Sequence, residues 1–414
     1  MTDSTMQGGV AGGRPALARC LSVPPEEFAA TYWSVRPLLS PAASLPADFG
    51  DLFSADAVDE LIGRRGLRTP FLRLASEGSV LGSGRFTRSG GLGAGVSDQV
   101  ADDKVLAEFA AGATLVLQGL HRTWPPLVDF AQQLSTDLGH PVQVNAYVTP
   151  ASSRGFDPHY DVHDVLVLQI AGEKRWTIHP PVHEHPLADQ PWTDHREAVA
   201  AQAKSSPTIE AVLSPGDALY LPRGWLHSAQ ALGETTIHLT VGMHATTRYD
   251  VLQALVAAAA DAPELRASLP IGVDPEHAGT LQADLDATVK AVTERLGAFT
   301  AADAAAAVRR RLLTTTRPEP IGPLAQSTAA DRLGPDDSVR LRAHSHPRLT
   351  DRPDGHLQLA TTTRTVTVPA TARSAVEALL DGRPHAVRDL PGLRPEDAHA
   401  LVVRLLREGI VVPG

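Results

Sequence analysis

The chain has 414 residues, too many for one compact core, so two or three domains are expected. Its net charge of −10 weighs against general nucleic-acid binding, and a single cysteine, Cys20, excludes a disulfide framework or a cysteine-rich zinc site and fits a reducing cytosol. No apolar run is long enough to cross a bilayer and no signal peptide is legible, so a cytoplasmic protein without membrane attachment is expected.

In chain order, residues 1 to about 16 are rich in Gly, Ser and Thr and predict a disordered N-terminus. Phe28 to Leu39 mixes aromatics with a proline stop, the pattern of a helix followed by a turn. Ser54 is placed to cap a helix starting at Ala55. Ser79 to Val100 is Gly- and Ser-rich and predicts a loop. Thr114 to Leu117 predicts a strand, and Pro125 to Leu138 a helix with Leu127, Phe130, Ala131, Leu134 and Leu138 on one side.

From Val142 to Val241 short β-rich runs recur: Val142 to Val148, Asp164 to Ile170, Arg175 to Ile178, Ala218 to Leu221 and Thr235 to Val241. Turns such as Ser214-Pro215-Gly216-Asp217 separate them, which predicts an antiparallel sandwich or barrel. Long helices do not alternate with these strands, so a doubly wound parallel sheet is not expected. Beyond about residue 246 the runs Arg248 to Ala260, Glu264 to Leu269, Gly279 to Gly297 and Ala301 to Leu313 have helical periodicity, and Thr316 to Pro323 breaks it. From about residue 340, a β-ribbon over His356 to Val368 precedes helices at Thr371 to Leu380 and Pro395 to Glu408, an order that resembles a winged helix.

Two stretches carry the chemistry. Phe156-Asp157-Pro158-His159-Tyr160-Asp161 supplies His159 and Asp161, and Pro222-Arg223-Gly224-Trp225-Leu226-His227 supplies His227. Residues two apart in a strand share a face, so His159 and Asp161 are expected to reach one ion from a strand edge, with Tyr160 turned away. Two histidines and one carboxylate occupy one face of an octahedral metal and leave the other open, an arrangement suited to Fe(II). An enzyme that also used 2-oxoglutarate needs a cation for the distal carboxylate, and Lys174, just after the Ala171-Gly172-Glu173 turn, is placed to provide it. Asn145 and Tyr147, two apart on the preceding strand, are placed to donate hydrogen bonds to the same molecule.

The runs Asn145-Ala146-Tyr147-Val148-Thr149-Pro150, Ser153-Arg154-Gly155-Phe156, Pro158-His159-Tyr160-Asp161 and Gly172-Glu173-Lys174-Arg175-Trp176 resemble JmjC-type Fe(II)/2-oxoglutarate oxygenases, and among them the ribosomal-oxygenase branch. That resemblance implies an α+β chain: a double-stranded β-helix (jelly-roll or cupin) barrel over residues 17–245, a helical dimerisation region over 246–335 and a C-terminal winged helix over 340–414. It implies iron at His159, Asp161 and His227, 2-oxoglutarate at Lys174 with Asn145 and Tyr147 beside it, and further contacts from His238 and Thr240. His163 departs from the pattern and reads as a satisfied barrel histidine, with a spare ligand or a substrate contact as alternatives. His179, His183 and His185 fall in a Pro-rich loop, where a second metal is the less favoured reading.

The expected activity is oxidation of a protein side chain, a ribosomal protein being the implied substrate, with Fe(II), 2-oxoglutarate and O₂. The alternatives are a tailoring hydroxylase acting on a small peptide or amino acid, and a non-enzymatic cupin-like regulator. A homodimer through the Ala- and Leu-rich helices is expected. DNA binding by the C-terminal part is not: from Arg340 onward eleven arginines face eight acidic residues, and the helix from Pro395 is net acidic.

Overall fold

The structure is a computed structural model that describes residues 14–76, 78–151, 157–274 and 276–414. Residues 1–13 of the expected disordered N-terminus, and the run Ser153-Arg154-Gly155-Phe156, lie outside the described residues. The chain divides into two compact units, the first ending at Ala245 and the second beginning at Thr246.

The first unit contains strands β1 (Leu38–Ser40), β2 (Leu72–Ser76), β3 (Ser79–Val80), β4 (Thr87–Arg88), β5 (Gln99–Val100), β6 (Thr114–Leu117) and β7 (Val142–Thr149). It continues with β8 (Asp164–Ala171), β9 (Lys174–His179), β10 (Ile209–Leu213), β11 (Ala218–Leu221), β12 (Leu226–Ala231) and β13 (Thr236–Met243). Its helices are α1 (Pro15–Ala18), α2 (Pro25–Thr31), α3 (Ala55–Arg64), α4 (Asp102–Ala110), α5 (Leu120–Thr123), α6 (Pro125–Leu138) and α7 (Arg196–Gln202).

Among the described residues, eight strands form one sheet in the order β1-β11-β8-β13-β7-β6-β2-β3, and every neighbouring pair is antiparallel. A smaller antiparallel sheet runs β10-β9-β12. Successive side chains of a strand alternate between faces, and β8 uses both. Val165 and Val167 pack with Trp176 and Ile178 of β9 and Leu213 of β10, so this face meets the small sheet. Leu166 and Leu168 pack in a separate cluster with Leu127, Phe130 and Leu134 of α6. The large sheet is therefore apolar on both faces, and the space between the two sheets is where the inward polar residues of β7, β9 and β13 collect. This layout is consistent with a cupin-type jelly roll.

Several local expectations need correction. The helix expected from Phe28 is instead α2, begun by Pro25, and Leu38 and Leu39 belong to β1, where they pair with Tyr220 and Leu219. Pro15 and Ala16, counted with the disordered stretch, open α1, because the Asp137 carboxylate accepts hydrogen bonds from the backbone N–H groups of Ala16 and Leu17 at 2.8 and 3.0 Å. The stretch from Ser79 holds short two-residue strands rather than loop alone. Ser54 does cap α3, its side chain accepting from Ala57 N–H.

The second unit begins with α8 (Arg248–Ala259), α9 (Gln282–Ala298), α10 (Ala301–Thr315) and α11 (Pro323–Arg332). Strands β14 (Ser338–Leu341), β15 (Arg348–Asp351), β16 (His356–Ala360) and β17 (Thr365–Pro369) follow, then α12 (Arg373–Leu379), β18 (His385–Ala386), α13 (Pro395–Arg407) and β19 (Val411–Pro413). Thr247 and Asp250 form a reciprocal cap on α8, and Thr300 and Asp303 do the same on α10. Beyond those caps, α9 and α10 bury no residue of their own, and Leu252, Val256, Leu285 and Val289 are exposed. The C-terminal part is better packed: Leu401, Val402, Leu405 and Leu406 of α13 share a core with Leu357, Leu359, Val366 and Val368 of the ribbon. No described helix is long and apolar enough to cross a membrane.

Candidate metal centre

His159 does not sit in a regular strand, as its spacing from Asp161 led us to expect. It makes an isolated bridge with His227, which lies on β12. The two exchange backbone hydrogen bonds, His227 N–H to His159 carbonyl at 2.8 Å and His159 N–H to His227 carbonyl at 3.2 Å. Gly224 N–H donates to the Asp161 carbonyl at 3.0 Å. Gly224 has φ +87°, and a Cβ there would lie 2.7 Å from the His183 carbonyl, so the tight turn before β12 requires glycine. The main chain thus sets all three residues against one another before any side chain is considered.

One ligand atom from each of His159, Asp161 and His227 lies within 4.8 Å of the other two. His227 Nε2 is 3.6 Å from Asp161 Oδ2. His159 Nδ1 is 2.7 Å from the Asp157 carbonyl, and His227 Nδ1 is 3.1 Å from the Trp225 carbonyl. Each Nδ1 therefore donates toward a carbonyl, the ring orientation in which Nε2 is the atom a cation would take. Burial, and then the neighbouring His159, push the His227 imidazole down to about 4, so it is neutral. Burial alone would raise the Asp161 carboxyl, but the imidazoles of His227, His163 and His159 outweigh that and hold it below the ordinary value. The neutral His227 imidazole, the ionised Asp161 carboxylate and the adjoining His159 ring are the kind of donor set that a divalent first-row metal takes.

A second group of polar residues lines the inner face behind the triad. Register pairs place Tyr147 opposite His238 and Asn145 opposite Thr240 on β7 and β13. The His238 ring stacks on Tyr147 at 5.0 Å, with Trp176 edge-on to it at 5.4 Å. Lys174 opens β9 and is 2 % exposed. Its ammonium lies 3.3 Å from Thr149 Oγ1 and 3.4 Å from His238 Nδ1. No ion pair to it exists among the described residues, and burial pushes its pKa down to about 7. Burial, Lys174 and His227 together push His238 well below its usual value, so it faces the ammonium as a neutral acceptor. Asn145 Oδ1 accepts from Gly119 N–H at 3.1 Å, so its amide nitrogen is the group left for a ligand. The buried Trp176 Nε1 and Thr236 Oγ1 have no hydrogen-bond partner among the described residues. A buried cation and unpaired donors are costly without an occupant, and an extended dicarboxylate would satisfy them.

Sequence reasoning missed Asp164. Its buried carboxylate accepts from Arg223 N–H at 2.9 Å, Tyr220 Oη at 2.9 Å and Ser34 Oγ at 3.1 Å, with the Arg223 guanidinium 3.6 Å away. It anchors the start of the turn that leads to His227. Its one signal in the sequence was an acidic residue opening an otherwise apolar strand.

His163 does not join the metal group: Nδ1 is 3.3 Å from the Asp164 carbonyl and Nε2 is 3.5 Å from Gln143 Nε2. His179 is buried near Ser205, and His183 pairs with Gln190 and stacks on His195 at 4.7 Å. Among the described residues, His179, His183 and His185 form no metal-binding group.

Residues 126–251 match the family model described as the JmjC domain. The chain is 25 % identical over 292 residues to the bifunctional lysine-specific demethylase and histidyl-hydroxylase NO66 of Aedes aegypti, covering 69 % of this chain and 44 % of that protein. It is 30 % identical over 225 residues to ribosomal oxygenase 1 of Rattus norvegicus, covering 49 % and 36 %. The chain thus spans less than half the length of these curated relatives. Among solved structures it resembles the Escherichia coli ribosomal oxygenase YcfD with a TM-score of 0.54 at 16 % identity, covering 95 % of this chain and 99 % of that one. A structure of that protein in complex with cobalt and 2-oxoglutarate is similar at TM-score 0.51 and 16 % identity.

Proposed function

We propose, from the premise that residues 126–251 are a JmjC domain, that this chain is an Fe(II)- and 2-oxoglutarate-dependent dioxygenase that hydroxylates an amino-acid side chain of a protein. The observation that carries the reading is the pairing of a two-histidine, one-carboxylate triad with a buried Lys174 that has no carboxylate partner among the described residues. The names of the relatives, ribosomal oxygenase and histidyl-hydroxylase, make a ribosomal protein the favoured substrate.

In this reading His159, Asp161 and His227 would hold the iron. Bound iron and 2-oxoglutarate supply the oxidising chemistry, in which O₂, 2-oxoglutarate and a C–H bond become succinate, CO₂ and a C–OH group. The residues of the chain fix geometry around that chemistry. Lys174 pairs with the distal carboxylate, and Thr149 and His238 hold its ammonium in place. Asn145 and Tyr147 of β7, paired in register with Thr240 and His238 of β13, would line the space that takes the cosubstrate. Val165, Val167, Ile178 and Leu221 keep water from the space between the sheets.

The same reading assigns residues 17–245 to the catalytic domain, 246–335 to helices that join two copies, and 340–414 to a winged helix that packs against protein rather than DNA. Arg404 donates to the Thr367 carbonyl and Arg407 pairs with Asp331, so these basic groups of α13 are committed within the chain. A cytoplasmic location follows from a ribosomal substrate. Incubation of the chain with Fe(II), 2-oxoglutarate and ribosomes tests the proposal, read as succinate formed and oxygen gained by a ribosomal protein.

A further inference from the structure

In both segments that carry the triad, the side chain next to a ligand turns to the opposite side, as alternation along an extended chain requires. Tyr160, between His159 and Asp161, and Leu226, before His227, are 1 % and 0 % exposed, and they pack with Val199 of α7 in a small core of their own. Val199 belongs to residues 180–208, the connection between β9 and β10. We infer that this connection is a strap that fixes the three ligand residues from behind, with Tyr160 and Gln190 as its positioning residues. The inference rests on the metal-centre reading and extends it to what sets the geometry of that centre.

The strap is tied to both ligand-bearing segments. Tyr160 Oη donates to the Gln190 carbonyl at 3.1 Å. The Gln190 side chain is fixed in turn, its Oε1 accepting from Leu187 N–H at 2.9 Å and from His183 Nε2 at 3.1 Å. The same stretch presses on the turn before His227: a Cβ added at Gly224 would lie 2.7 Å from the His183 carbonyl oxygen and 2.9 Å from Pro186 Cδ. Gly224 N–H in its turn donates to the Asp161 carbonyl. Further along the strap, the Trp192 ring lies 6.4 Å from the His159 imidazole, and the Arg196 guanidinium sits over Trp192 at 4.8 Å. His159 depends on such packing because a single bridge to His227, rather than a ladder, holds its main chain. Groups that orient a ligand residue set metal affinity, and losing one typically costs about 10- to 100-fold.

The test is a cobalt(II) titration of the full chain, read by the ligand-field absorption of the bound metal, with thermal unfolding of the metal-free chain alongside. Tyr160→Phe keeps the ring and removes its hydrogen bond, and Gln190→Ala releases His183 and Leu187. Each should weaken cobalt binding at least tenfold and change the shape of the absorption band. Gln190→Glu keeps an acceptor in the same place and should restore both. Leu134→Ala, a truncation in the core on the opposite face of the large sheet, is the control. It should lower the unfolding midpoint and leave cobalt affinity and band as in the parent chain. Parent-like affinity and band in either Tyr160→Phe or Gln190→Ala would overturn the strap. So would an equal loss of affinity in Leu134→Ala, which would make affinity a reflection of overall stability. Absence of stoichiometric cobalt binding by the parent chain would instead refute the metal centre beneath it.

Discussion

His159 and His227 are joined through their main chains, each donating its N–H to the other's carbonyl, at 3.2 and 2.8 Å. Two residues 68 positions apart are thus locked as one unit, with both Nδ1 atoms turned to carbonyls. The site is pre-organised by backbone, so side-chain substitutions should remove ligands without unfolding the barrel.

Asp161→Ala, His159→Ala and His227→Ala should each abolish iron- and 2-oxoglutarate-dependent succinate formation while far-UV circular dichroism stays that of the parent chain. Cobalt(II) absorption titration provides the direct reading. Tight stoichiometric binding retained in Asp161→Ala would remove that residue from the ligand set.

Lys174→Ala should raise the apparent KM for 2-oxoglutarate at least tenfold, because a buried distal carboxylate loses its charge-assisted partner. The pH dependence has a definite sign. With its pKa near 7, the free Lys174 is largely neutral above that pH, and binding a dicarboxylate favours its charged form. Binding therefore takes up a proton, and 2-oxoglutarate affinity should weaken as pH rises from about 7 to 9 by up to tenfold per unit. His238, held neutral, and Tyr147, pushed up to about 12, do not titrate in that range. Isothermal titration in buffers of different ionisation enthalpy measures the proton uptake. Lys174→Arg should flatten the slope.

Asp164→Ala should destabilise the chain by about 3–5 kcal/mol, since it leaves the Arg223 guanidinium, 12 % exposed in its side chain, without its carboxylate. Asp164→Asn keeps the shape and should cost less. Its effect should appear in metal affinity, lowered about 10- to 100-fold, because the turn that carries His227 loses its anchor. Urea denaturation gives the first quantity and cobalt titration the second. A purely structural residue would move only the first.

These relationships differ in how much of them was legible in the chain. The triad was, because metal chemistry fixes residue type and because an H-x-D pair with a later histidine after a Pro-Gly-Asp turn is a rare conjunction. Strands β7, β8, β11 and β13 were also legible, since both faces of the large sheet are buried and their runs are strongly apolar. Strands β10 and β12 were not: Leu226–Ala231 carries His227, Ser228 and Gln230 within six residues, which masks its strand character. Asp164 left only the signal of an acidic residue opening an apolar strand, which does not name its partners. Its partners Ser34 and Tyr220 lie 130 and 56 positions away, and only folding brings them to one carboxylate. The expected strand at His159 failed for a related reason, because a single bridge to His227 orients it without a ladder.

Leu252, Val256, Leu285 and Val289 are exposed on α8 and α9, and the proposed self-association would cover them. Light scattering at micromolar concentration should therefore return a dimer. Val256→Asp with Val289→Asp should return a monomer. A monomeric parent chain would contradict the assignment of residues 246–335 to self-association.

The most direct measurement of the central claim is the fate of molecular oxygen. The intact chain is incubated with Fe(II), 2-oxoglutarate, ribosomes and ¹⁸O₂, and succinate and tryptic peptides are examined by mass spectrometry. The account predicts one ¹⁸O atom in succinate and one in a side chain of a ribosomal protein, both lost in Asp161→Ala. Succinate and peptides free of ¹⁸O, or labelling that persists in Asp161→Ala, would contradict it.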